Sequence, residues 1–162
     1  MKRLMQVICA VFLLCGCDGA NEHQQQQNLL EQLQTQLENR SFSVSDSLPF
    51  QYDVEISQEG ESYSYVLVID HFEHAMYDVK VVGMPLQEPS RLCSVGFEEE
   101  AGIQIIPNQE DVEKGYYSSI TLNGTFTSSD DVVGVVIQWK DVSGVNTYQR
   151  YWEIDCASAR SS

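Results

Sequence analysis

The stretch Tyr63-Ser64-Tyr65-Val66-Leu67-Val68-Ile69 decides the fold. It is apolar on both alternations, with Tyr63, Tyr65, Leu67 and Ile69 on one face and Val66 and Val68 on the other. So short a run, rich in β-branched and aromatic residues, reads as a central strand. Upstream, Tyr52, Val54 and Ile56 alternate with Asp53, Glu55 and Ser57, the pattern of a strand with one wet face. Downstream, Tyr77, Val79 and Val81 alternate with Asp78 and Lys80. Leu92 to Phe97 and Ile103 to Ile106 are short strand candidates. Tyr116, Ser118, Ile120, Leu122 and Phe126 line one face of a long strand, and Tyr117, Ser119, Thr121, Asn123 and Thr125 line the other. Val132 to Trp139 and the aromatic-rich Tyr148 to Ile154 complete the series, with Asp141 to Asn146 between them as a hairpin connection.

Seven or eight strands, separated by turn signals such as Gln58-Glu59-Gly60 and Ser143-Gly144 and uninterrupted by a long helical pattern, predict a mainly β domain over residues 50–156. The expected architecture is an antiparallel β-sandwich, with a small β-barrel as the alternative. At the level of pattern the domain resembles an immunoglobulin-like or fibronectin-like sandwich. Before it, Leu29, Leu30, Leu33 and Leu37 recur at helical spacing and predict a short amphipathic helix over residues 29–40. That stripe suits packing on its own domain or docking on a partner. So short a helix is marginal in isolation, which favours the first. The polar, Gln-rich residues 17–28 read as a tether, and residues 157–162 as a tail.

The amino terminus carries a basic start, Lys2 and Arg3, then an apolar run from Leu4 to Leu14. That run is too short for a transmembrane helix, which needs roughly 20 residues. Leu14-Cys15-Gly16-Cys17 resembles the lipobox of bacterial lipoproteins. The resemblance implies that residues 1–16 are a signal peptide and that Cys17 becomes the diacylated amino terminus. Two acyl chains anchor a protein stably without a span. The membrane is then a partner through the N-terminal lipid, and the domain faces the periplasm or the exterior. Asp18 resembles the signal that retains lipoproteins at the inner membrane of a two-membrane cell.

The chain has 9 basic residues against 24 acidic ones and a formal net charge of −15, and Lys2 and Arg3 leave with the signal. Such a surface repels phosphate backbones, and no Lys/Arg cluster offsets it, so nucleic acid is excluded as a partner. Beyond Cys17 only Cys93 and Cys156 remain, an even pair in an oxidising compartment. The expectation is a disulfide closing a loop of about 64 residues, worth about 4 kcal/mol. Two buried thiols are the alternative.

Candidates for chemistry are few. Asp70-His71-Phe72-Glu73-His74 follows the central strand, and His71, Glu73 and His74 are suitable Zn²⁺ ligands. Their spacing is not the His-Glu-x-x-His of a metal-binding helix. In an extended strand the two imidazoles would point apart. There is no Gly-x-Ser-x-Gly elbow and no phosphate-cradling loop, and no cofactor is implied. Glu98 to Glu100 and Asp130-Asp131 read as loop charges. Tyr117 and Tyr151 lie on the wetter alternation of their strands and would form an exposed aromatic patch if those strands were neighbours. The residues favour a membrane-anchored, non-catalytic interaction or accessory module with an envelope protein as partner. Capture of a small ligand or glycan through the aromatic strands is the alternative, and a metal-dependent enzyme the third reading.

Overall fold

The protein is described by a computed structural model covering residues 18–98, 102–129 and 131–159. Residues 1–16, the expected signal peptide, and the expected lipidation site Cys17 lie outside the described residues, as do residues 99–101, Asp130 and residues 160–162. Among the described residues a helix α1 (Asp18–Glu38) precedes nine strands: β1 (Gln51–Glu59), β2 (Ser62–Asp70), β3 (Met76–Pro85), β4 (Cys93–Val95), β5 (Ile103–Ile105), β6 (Tyr116–Tyr117), β7 (Ile120–Phe126), β8 (Val132–Lys140) and β9 (Thr147–Asp155). A single helical turn, α2 (Cys156–Ala159), follows.

The strands form two open sheets, a β-sandwich as the sequence predicts. The smaller sheet has the order β1-β2-β7 and the larger β6-β5-β3-β8-β9, with β4 also on β3. Leaving β4 and β6 aside, this is the A-B-E and C′-C-F-G order of immunoglobulin-like sandwiches. The central strand β2 lies between β1 and β7 in continuous antiparallel register. Gly60 makes the β1–β2 turn, at a φ of 66° that glycine adopts without penalty.

The core lies between the sheets. Tyr65, Leu67 and Ile69 of β2 and Ile120, Leu122 and Phe126 of β7 meet Val79 and Val81 of β3 and Val133, Val135, Ile137 and Trp139 of β8. Tyr65 is paired in register with Gly124, and a Cβ there would lie 2.4 Å from its ring. The glycine lets the tyrosine lie across the strand, so its hydroxyl reaches Cys93 Sγ at 3.0 Å. The expected Cys93–Cys156 disulfide is absent. Cys93 Sγ is taken up by Tyr65 and donates to the Gly83 carbonyl at 3.4 Å, whereas Cys156 Sγ donates to the Ile154 carbonyl at 3.8 Å. Burial pushes the Cys93 thiol up.

Two further expectations are corrected. The long strand over residues 116–127 is two strands in different sheets: β6 runs parallel to β5 in the larger sheet, and β7 pairs with β2 in the smaller. The chain changes sheet at Ser118-Ser119, where Ser118 Oγ donates to Glu110 Oε2 at 3.2 Å. Asp131 is not a loop charge but fully buried; its Oδ1 accepts N–H groups of Gln87 and Val132, and burial pushes its carboxyl up.

The helix also differs from its expected bounds. It begins at Asp18, so the segment read as a tether is helical. Residues 20–28 contain no Gly or Pro and are rich in Gln, a good helix former. Gln24 donates to Asn28 four residues on at 3.0 Å. Arg40, in the left-handed region at φ 50°, closes the helix: Arg40 N–H donates to the Leu37 carbonyl and Ser41 N–H to that of Gln36. This is a Schellman cap with arginine in the usual glycine place.

The helix packs on its own domain. Leu33 and Leu37 are buried against Val82, Met84, Val136 and Tyr151, on the face of the larger sheet that turns away from the sandwich core. Phe42 stacks on Tyr151 at 5.2 Å. The molecule thus has three layers: helix, large sheet, small sheet. Replacing Leu37 by alanine should lower unfolding free energy by about 2–5 kcal/mol, the cost of emptying a filled core site. The same change at half-buried Leu29 should cost clearly less. Urea unfolding of the two variants checks the order.

Candidate functional site

The outer face of the larger sheet changes character along its strands. Its β3 residues are Met84, Val82 and Lys80, paired with Gly134, Val136 and Gln138 of β8. Under the second half of α1 this face is apolar and closed by leucines. Under the first half it is polar, and α1 presents Glu22, Gln25 and Gln26 there with only Leu29 to fill space. A groove of about 540 Å³ remains between helix and sheet.

The floor of the groove is a charge cluster built on one buried lysine. Lys80 is 5% exposed, on the face of β3 that also carries the buried Val82 and Met84. Its ammonium donates to Asp78 Oδ1, and Lys140 Nζ lies 2.9 Å from Asp78 Oδ2. Burial pushes the Asp78 carboxyl up, but the hydrogen bonds from Lys80 and Lys140 outweigh it and hold the group below the usual carboxylate range. Asp78 occupies the left-handed region at φ 49°, and the register of β3 shifts against both β5 and β8 across this residue. The bulge re-aims the carboxylate, so that one residue meets two lysines from adjacent strands. A non-glycine residue held at positive φ costs of order 1–3 kcal/mol and persists where its surroundings over-determine it.

Gln104 of β5, Gln138 of β8 and the Asp141–Gly144 turn complete the walls. The turn is fixed by Asp141: Oδ1 accepts Ser143 N–H at 3.1 Å and Ser143 Oγ at 2.6 Å, and Oδ2 accepts Asn146 Nδ2 at 2.6 Å. Those bonds, the one from the Ser143 hydroxyl foremost, lower the Asp141 pKa to about 2. Gln149, opposite Gln138 on the same face, has a buried Nε2 with no hydrogen-bond partner.

The sequence-derived candidates are placed elsewhere and are not assembled. His71 is exposed at φ 49°, its Nδ1 2.7 Å from Asp70 Oδ1. Phe72 is buried against Phe50, which turns its neighbours His71 and Glu73 to solvent. His74 lies against the Trp139 ring at 6.1 Å. Among the described residues, no group of three or more His, Cys, Asp or Glu side chains is placed to hold a metal ion. Tyr117 and Tyr151 form no patch: β6 and β9 are the two opposite edges of the larger sheet, and Tyr151 is buried beneath α1. Trp139 and Trp152 are buried as well.

The Asp78, Lys80 and Lys140 cluster was hidden in the sequence by its own regularity. Asp78 and Lys80 fall on the alternation opposite Val79 and Val81, as exposed residues of an edge would. The available signal was the break in that alternation, since Val82 and Met84 share the face of Lys80. No family model, no curated protein and no solved structure matches this chain.

Two outcomes follow from this geometry. Asp78→Ala leaves the buried Lys80 ammonium without its carboxylate and should cost about 2–3 kcal/mol, below the value for a fully enclosed pair because Asp78 is partly exposed. Adding Lys80→Met should recover part of that loss in a denaturation cycle. By NMR, the Asp141 carboxyl should titrate near pH 2, and Asn146→Ala should move it up. Since the folded pKa is depressed, the order that Asp141 gives the turn is complete above the ordinary carboxylate range and is lost as pH falls through about 2.

Proposed function

We propose that the protein is a bacterial lipoprotein, anchored through Cys17 and facing the periplasm or exterior, whose sandwich is a non-catalytic interaction module of the cell envelope. The observation that carries this reading is the quartet Leu14-Cys15-Gly16-Cys17 running directly into α1. The expected anchor directly precedes, in sequence, a helix whose first half is a wall of the groove. The acidic balance of the chain opposes contact with anionic headgroups and favours a protein partner over the lipid surface itself. Asp18 supports retention at the inner membrane where there are two.

Expression of the full chain with labelled palmitate in a bacterial host tests the reading. The wild type should incorporate label and fractionate with membranes, while Cys17→Ser should lose both properties. A Cys17→Ser chain that stays membrane-bound, or an unlabelled wild type, overturns the anchor. Crosslinking in the native membrane should then capture an envelope protein in stoichiometric amount with the wild type only.

A further inference from the structure

We infer that the groove under the first half of α1 is a binding site for a neutral, hydroxyl-rich ligand, a saccharide. The inference goes beyond the anchor and does not depend on it. Three observations converge. The protein leaves this space open: leucines fill the helix–sheet gap at one end, and at the other amides and a carboxylate face a polar sheet across about 540 Å³. That volume lies within the roughly 300–1,000 Å³ range of small-ligand sites.

The floor is built rather than incidental. Lys80 is a buried cation whose position depends on Asp78, and Asp78 is held at positive φ in a bulge that disturbs pairing with both neighbouring strands. Sheet stability alone gives no reason to place a lysine there, because Val82 and Met84 occupy the same face.

The lining selects the ligand class. Carboxylates (Asp78, Glu22, Asp141) and ammonium groups (Lys80, Lys140) interleave, so neither an anion nor a cation finds a field of one sign. Gln104 and Gln138 each offer a donor and an acceptor, as does a hydroxyl group. Tyr77 adds an aromatic ring on which the apolar face of a sugar can rest.

The test uses the full-length lipidated chain in detergent, with side-chain amide NMR during titration with chitotriose, maltotriose and cellotriose in turn. At least one trisaccharide should shift the Gln104 and Gln138 amides saturably. Gln138→Ala and, on the helix, Gln26→Ala should each weaken that binding by about tenfold or more while melting stays unchanged. No shift of these amides by any of the three at millimolar concentration overturns the inference. So does a shift that both variants leave intact, or one that saturates only with acetate or a lysine-rich peptide as comparator.

Discussion

The β3–β8 pair must be covered on both faces, and the rest of the molecule is arranged to do it. Val79 and Val81 with Val133, Val135 and Ile137 face the small sheet, while Val82 and Met84 with Val136 face the helix. Exposing either set would forfeit about 25 cal/mol for each Å² of apolar surface. One cover is the β1-β2-β7 sheet, whose inner face is continuous through β2 and β7. The other is α1, whose apolar stripe is short. Leucines at 33 and 37 close the apolar half of the outer face, and the glutamines before them span the polar half without closing it. The groove is therefore the direct result of a cover shorter than the surface beneath it.

Tyr65 plays the matching part inside the sandwich. Gly124 opens room for its ring, and Gly83, where a Cβ would lie 3.0 Å from its hydroxyl, lets it approach β3. The hydroxyl then meets Cys93 at the point where β4 joins β3. A large polar-tipped side chain ties three strands of two sheets together where a covalent bridge would otherwise be expected. Nearby, Glu88 accepts Thr127 N–H at 2.6 Å and pairs with Arg91, which fastens the β3–β4 connection to the end of β7.

Most strands were legible from local pattern because period-two alternation is a property of each segment. The central strand, the wet-faced β1 and the Asp141–Asn146 hairpin are examples, and the two-sheet sandwich follows from their number and spacing. What failed did so for non-local reasons. Residues 116–127 keep one alternation throughout, so nothing local marks the change of sheet at Ser118-Ser119. Tyr151 sits on the wetter alternation of its strand yet is buried, because the helix that covers it lies far away in the sequence. The two cysteines were paired by compartment and parity, neither of which carries information about where a thiol points.

The sequence by itself determined the β-rich class, most of the strand positions, the acidic balance and the helical leucine stripe, since each depends on composition or on residues within one segment. Tertiary structure alone decided that both faces of the larger sheet are covered, that Asp78 joins Lys80 to Lys140 across a bulge, and that a polar groove is left beside them. These depend on which strands become neighbours and on how far a distant helix reaches. Register and packing set both, and no single segment encodes either.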